Sequence, residues 1–271
     1  MTLSGAGSAE RRSSEDMPVI SAAAEGLSPF PRRPVVCEDR SCPMQKITTV
    51  LFDLDGVIVD SRAVIAAAWR QVAAQHAIAI SDEQLEKYII GAAVQYTLER
   101  IFHAFDADAR RSIAQQQEQL EVAADYALLS GLLPFYRALY DRNVRMGMVT
   151  GSSGNKVRSI LRQHPLAGFF CVVTGDDVAQ GKPHPESYRK AMEFWRAEPQ
   201  ETLIFEDSDH GIMAARRAQA HCIAVGNFLS PARFAIGDFN DVFIADDGRI
   251  MLNSYDLDED GMVDTGLYLP A

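Results

Sequence analysis

Two aspartates, Asp53 and Asp55, stand two residues apart at the end of an apolar run and are followed at once by Gly56. No lysine or arginine lies between Lys46 and Arg62. Carboxylates gathered at a strand end need a partner for their charge, and a divalent cation with oxygen ligands supplies one. Strand alternation would turn both acids to one side, but Gly56 signals that a turn begins there. Three later stretches carry complementary groups. Val149-Thr150-Gly151-Ser152-Ser153 closes an apolar run, so that the Thr150 hydroxyl and the amides of Gly151 and Ser152 can cradle a phosphate at a helix start. Gly181-Lys182-Pro183-His184-Pro185-Glu186 sets a lysine beside two stiffening prolines. Phe205-Glu206-Asp207-Ser208-Asp209-His210-Gly211 ends another apolar run with adjacent acids. Taken singly, each has a plainer reading: a solvated acidic turn, a strand-to-helix loop, an exposed lysine.

The elements that must position these groups follow from periodicity. Residues 47–52 are short, β-branched and apolar, a buried strand. Residues 61–127 carry helical stripes: Val64, Ile65, Ala68, Trp69 and Val72, then Leu98, Ile101, Phe102 and Phe105. Ser81-Asp82-Glu83-Gln84 before Leu85, Tyr88 and Ile89 reads as a capping box, and 113–129 as a Gln- and Glu-rich helix. From 128 to 245 helix and strand alternate, with strands expected over 145–150, 169–174, 202–206, 221–225 and 242–244. The expected helices run over 134–141, 156–163, 185–197 and 212–219. This rhythm predicts an α/β protein: a Rossmann-like parallel sheet sandwiched by helices, with an inserted α-helical domain. The core comprises 46–60 and 128–245, the helical insertion 61–127. Ligands of such sheets bind at the carboxyl ends of the strands, where the acids fall.

In this order, the four segments resemble the motifs of the haloacid dehalogenase-like (HAD) superfamily. The likeness is closest to its sugar-phosphatase and β-phosphoglucomutase branch, with a helical cap after the first motif. It extends over residues 46–245. The resemblance implies Asp53 as a nucleophile that forms an aspartyl-phosphate, and Asp55 as general acid and then base. It implies a Mg²⁺ site made by Asp53, Glu206, Asp207 and the backbone carbonyl of Asp55. Thr150, Gly151, Ser152 and Lys182 would bind the phosphate, with Lys182 also pairing with Asp53. Residues 61–127 would be the cap that closes over the site and selects the substrate.

The expected function is Mg²⁺-dependent hydrolysis of a small phosphorylated metabolite, a sugar or polyol phosphate. A β-phosphoglucomutase is the alternative. Mutases carry a cap histidine five residues after the acid matching Asp60, and a cap arginine three after the glycine matching Gly91. Ile65 and Val94 stand there, and neither moves a proton nor clamps a phosphate. A dehalogenase needs neither Asp55 nor a metal site. A Schiff base on Lys87, as in phosphonate-cleaving relatives, goes with loss of the acid at Asp55. A non-catalytic phosphate-binding or scaffold protein would have lost Asp53 or Lys182. His184 and His210 receive no role.

Composition sets outer bounds. The 271 residues suffice for one large or two modest domains. A net charge of -11 disfavours nucleic-acid and anionic-membrane partners, so phosphate must be held by local groups. No apolar run reaches the roughly 20 residues of a membrane span, and the N-terminus has no secretory apolar region. Cys37 and Cys42 form no evident framework, while Cys171 and Cys222 sit in apolar runs, consistent with a reducing cytoplasm. A monomer is expected, as no exposed apolar stripe is evident. Residues 1–45 read as a disordered tail whose acids Glu10, Glu15, Asp16 and Glu25 argue against a transit peptide. Translation from Met44 would place the catalytic strand at the N-terminus. Residues 246–271 read as an acidic tail. Its Asp256–Gly261 run resembles an EF-hand start, with Asp264 at the ninth position but Leu267 where the bidentate Glu belongs.

Overall fold

A computed structural model describes residues 44–166, 168–253 and 261–270. The stretch before Met44, Cys37 and Cys42 with it, lies outside the described residues, as does the acidic run 254–260. Strands β1 (Gln45–Lys46) and β2 (Thr49–Phe52) lead into the first acidic loop, and β3 (Val59–Asp60) leaves it. Helices α1 (Arg62–Gln75), α2 (Asp82–Tyr88), α3 (Val94–Ile101) and α4 (Ala107–Ala123) follow. The chain returns through β4 (Ala127–Leu128) and α5 (Leu132–Asp141). It then alternates β5 (Arg145–Val149), α6 (Gly154–Gln163), β6 (Phe169–Val173), α7 (Glu186–Trp195), β7 (Thr202–Glu206), α8 (Asp209–Arg217) and β8 (His221–Val225). Strands β9 (Phe234–Ile236), β10 (Val242–Ile244), β11 (Arg249–Asn253) and β12 (Met262–Tyr268) end it.

The principal sheet has the order β6-β5-β2-β7-β8-β9, and every pair in it is parallel. Its central strands are buried on both faces, which is why they read as continuous apolar runs rather than alternating ones. One face carries Phe52 stacked on Phe205 at 5.5 Å, with Phe135 and Phe239 against them. The other carries Leu51 and Ile204 under Tyr188 and Ala214. Strand order runs outward from β2 to β5 on one side and β7 on the other. The loops that follow these three adjacent strands therefore meet at one sheet edge.

The helical insertion has its own core, in which Trp69, Val72, Leu98, Phe102 and Ile113 pack together. Its stripes are thus packing faces, while Val64 turns to the main core instead. Ser81 makes the expected capping box: its hydroxyl accepts from the Gln84 amide at 3.2 Å, and its own amide donates to Gln84 Oε1 at 3.1 Å. The helix expected over 113–129 begins earlier and stops at Ala123, because Ala124 is extended with ψ 154°. The chain then forms β4, which pairs antiparallel with β3. The two connections between insertion and core thus run side by side.

The acidic-tail reading of 246–271 is corrected. Strands β11 and β12 are antiparallel, with Ile250, Leu252, Thr265 and Leu267 buried at alternate positions. They complete a second sheet of order β1-β12-β11-β10. The period-two pattern was hidden by the acids around it: Asp264 faces outward and takes Arg249 at 3.0 Å. Leu267, at the twelfth position of the EF-hand-like run, is a core residue of a strand and no calcium ligand. Gln45, assigned to the N-terminal tail, pairs with Leu267. Strand β9 lies outside the strands the sequence predicts.

Candidate active site

Asp53 follows β2, Glu206 ends β7 and Asp207 comes next, so all three arise at the carboxyl edge of neighbouring strands. A carboxylate oxygen from each lies within 4.8 Å of the other two. Lys182 reaches in from the loop between β6 and α7. Its Nζ is 2.5 Å from Asp53 Oδ1, 2.5 Å from Glu206 Oε1 and 3.0 Å from the Val149 carbonyl. Glu186 steadies that loop by accepting the amides of Ala179 and Gln180 at 3.0 and 2.9 Å. The Ala179 amide, then Lys190 and the Gln180 amide, hold the Glu186 carboxyl down at about 2. The Lys182–Pro183 peptide is cis.

Glu206 is fully buried and amply bonded. Tyr188 donates its hydroxyl to Oε1 at 2.7 Å, and the Ser208 amide and hydroxyl donate to Oε2 at 3.3 and 3.2 Å. Ser208 also caps α8, accepting the Gly211 amide at 3.1 Å. Two glycines make room for the acids. A Cβ on Gly211 would lie 1.8 Å from Glu206 Oε1, and one on Gly56, at φ +72°, 2.2 Å from Asp207 Oδ2.

The charges do not balance. Burial raises the Asp53 carboxyl; Lys182 lowers it, but Glu206 and Asp55 push upward, and it comes to about 7. Asp207 is raised well above the usual range by burial and then by Asp53 and Glu206. Three hard oxygen donors facing one ammonium, two of them driven to hold protons, fit a divalent cation such as Mg²⁺ or Ca²⁺.

Asp55 stands apart from this cluster. Its Oδ1 accepts from Lys156 Nζ at 2.7 Å and its Oδ2 from the Ser152 hydroxyl at 2.6 Å. Burial acts to raise this carboxyl, yet Lys156, Ser152 and Ser61 together hold it below the ordinary carboxylate range. Of its side-chain atoms, none belongs to the three-acid group.

The segment after β5 contributes Thr150, which is buried and anchored by its amide to the Val173 carbonyl at 2.9 Å. Its Oγ1 accepts the Ser152 amide at 3.0 Å, so that amide is engaged within the turn. Gly151 has open space where a Cβ would stand. Thr150, Ser152 and Asp55 are thus joined by one set of contacts, and Lys182, Asp53, Glu206 and Asp207 by another, at the same sheet edge.

Other residues were missed. Lys156 opens the helix expected over 156–163, but α6 begins at Gly154 after the Ser153 cap. A lysine in a first turn faces the positive end of the helix dipole, and that misplacement was the available signal. Gly211 is likewise odd in the first turn of α8, since glycine is a poor helix former, but a Cβ there would strike Glu206. Tyr188 lies within the helix expected over 185–197, and only tertiary placement turns its hydroxyl to Glu206. On the insertion side, the Gly91 carbonyl meets His210 Nδ1 at 3.3 Å, seating the loop after α2 against the core. Lys87 is exposed over the Tyr88 ring, and Ile65 packs within the insertion. Among the described residues no helix is long and apolar enough to cross a membrane.

Comparison with known proteins agrees with this geometry. Residues 50–225 match the family described as haloacid dehalogenase-like hydrolase. A pyrophosphatase of Oceanobacillus iheyensis is 27% identical over 202 residues, covering 74% of this chain and 93% of that protein. A validoxylamine A 7'-phosphate phosphatase of Streptomyces hygroscopicus subsp. limoneus is 27% identical, covering 65% of this chain and 84% of that protein. In fold, a β-phosphoglucomutase of Clostridium difficile superposes with a TM-score of 0.64 at 24% identity, over 72% of this chain and 92% of that one. With the matched region spanning most of the chain and holding every acid of the cluster, this protein belongs to the haloacid dehalogenase-like hydrolases.

Proposed function

We propose that the protein is a divalent-cation-dependent phosphatase that cleaves a small phosphate ester, a sugar or polyol phosphate, through a phosphorylated Asp53. The observation that carries this reading is the Asp53 carboxylate held at 2.5 Å by Lys182 within the three-acid group, with a second, separately held carboxyl at Asp55. Asp53, Glu206 and Asp207, with the Asp55 carbonyl, would hold Mg²⁺. When bound, the cation offsets the negative charge of the substrate phosphate and of Asp53. Lys182 and the Thr150–Ser152 turn would bind the phosphoryl oxygens.

An Asp53 oxygen attacks phosphorus as the bond to the ester oxygen breaks. The charge of the incoming phosphate disfavours a carboxylate at Asp55, which takes up a proton. Asp55 passes that proton to the leaving oxygen, so an alcohol departs. As a carboxylate it then takes a proton from water, whose oxygen attacks the phosphorus of the aspartyl-phosphate. Inorganic phosphate leaves and Asp53 is restored.

The test is a panel of phosphate esters and pyrophosphate with Mg²⁺, assayed for free phosphate. The panel includes β-glucose 1-phosphate with its bisphosphate activator. Release from a sugar or polyol phosphate supports the reading. Conversion to glucose 6-phosphate without release would replace it by the mutase, against which Ile65, packed on the insertion's core, stands.

Cation binding is expected to release protons near neutral pH, because burial and neighbouring carboxylates raise Asp53 to about 7 and Asp207 well above the usual range. The deprotonated site is the competent one, so Mg²⁺ affinity rises with pH through about 7 and falls below it. Calorimetry in two buffers of different ionisation heat measures this. Binding that is independent of both buffer and pH would count against the cluster as the metal site.

A further inference from the structure

Lys156 is the charged group with the least evident purpose. It is 2% exposed, on the first turn of α6, where the helix dipole disfavours a positive charge. Burying an ammonium is costly unless it is paired and bonded. Here it is paired twice. Nζ lies 2.7 Å from Asp55 Oδ1 and 2.8 Å from Glu121 Oε2, and 5.5 Å from the centre of the Tyr126 ring. Glu121 sits in the last turn of α4 and also takes a short hydrogen bond from Gln117.

The surroundings fix Lys156 from the insertion side. Along α4 and the segment after it, Glu118 takes the Ser153 hydroxyl at 2.5 Å and the Val122 carbonyl takes Ser159 at 2.7 Å. The Ala124 carbonyl takes Gln163 at 2.9 Å, and Tyr126 OH donates to the Glu121 carbonyl at 2.9 Å. A salt bridge from α6 to α4 alone would not require the third partner, Asp55.

We propose that Lys156 is a positioning residue for Asp55: clamped by Glu121, it fixes Oδ1 while the Ser152 hydroxyl donates to Oδ2, and so it orients the carboxyl that exchanges protons with substrate and water. This role rests on the phosphatase reading of the site. It makes the seating of α4 on α6 a condition for a correctly aimed Asp55. A carboxyl free to rotate would present its proton in many directions, and misaim of a general acid removes much of its contribution, typically 10²- to 10⁴-fold.

The test compares two esters in rapid-mixing experiments on wild type, Lys156→Met and Lys156→Gln, with melting curves alongside. The 2,4-dinitrophenolate ion leaves without a proton; the alkoxide of glycerol 3-phosphate needs one. With Lys156→Met, the first turnover of glycerol 3-phosphate is expected to slow by about 10²-fold or more. Dinitrophenolate is expected to appear as a burst of one equivalent per site, its rate within about threefold of wild type, followed by slow turnover as water attack lacks its aimed base. Lys156→Gln, whose amide can still donate to Oδ1, is expected to lose less on the alkyl ester. Equal slowing on both esters, or no slowing on either, overturns the proposal. So does failure of both variants to give a cooperative melt, which would make Lys156 a folding residue. If wild type releases phosphate from neither ester, the phosphatase reading itself fails and takes the proposal with it.

Discussion

Asp53→Asn is expected to lower phosphate release by at least about 10⁴-fold, the scale on which removal of a covalent nucleophile is felt. The amide keeps the shape of the carboxylate and fills the same space, so packing around β2 should persist. What is lost is the charge on the oxygen proposed to attack. Stability should move the other way. Asp53 is crowded by Glu206 and Asp207, and its carboxyl is pushed up to about 7 by burial in the first place. A neutral side chain removes that crowding, so without divalent cation at pH 8 the variant should melt no lower than wild type. Its response to Mg²⁺ should shrink, because one of the three carboxylates has gone. The measurements are phosphate release over hours and melting curves with and without Mg²⁺. Retention of more than about 1% of activity would remove Asp53 from the nucleophile's place.

Most of the site was legible because its groups sit where chain signals are strongest. Asp53, Thr150 and Glu206 each close a short apolar run, and such a run followed by a glycine or a polar turn is a clear strand end. The parallel order then brings those ends together, which no single segment could reveal. The residues that escaped act across the fold. Lys156 meets Asp55 from 101 positions away, and Tyr188 meets Glu206 from the preceding helix. Each reads locally as a helix residue with nothing to do. The C-terminal strands escaped for a different reason. Ile250, Leu252, Thr265 and Leu267 alternate correctly, but Asp247 and Asp264 flank them, and an acidic run outweighs a short period in any count of composition. In the strands those acids are paired to Arg249, so their charge costs the sheet little.

Lys182→Met is the second change with a large expected effect, and it should act on both activity and stability. In the folded protein the ammonium is buried, yet the pull of Asp53 and Glu206 outweighs that burial and holds it charged. Methionine matches the length and leaves Asp53, Glu206 and Asp207 facing one another without a cation. Breaking a buried pair from one side costs about 3–5 kcal/mol. The loss should depend on pH in a definite direction. Asp53 and Asp207 already bind protons more tightly folded than unfolded, and without Lys182 they would bind them more tightly still. Wild type holds these extra protons from the unfolded carboxylate range up to about 7 and the variant holds them to higher pH still, so the variant's stability goes on falling as pH rises past 7. Without metal, the variant should be least impaired near pH 5 and most impaired at pH 8. Mg²⁺ should restore more stability to it than it adds to wild type, since the cation then supplies all of the positive charge in the cluster. Phosphate release should stay low even so, because no ammonium remains to hold the phosphoryl oxygens against Asp53. Melting curves at pH 5 and pH 8, with and without Mg²⁺, separate the two effects. Impairment that is equal at both pH values and indifferent to Mg²⁺ would mean that Lys182 contributes packing alone.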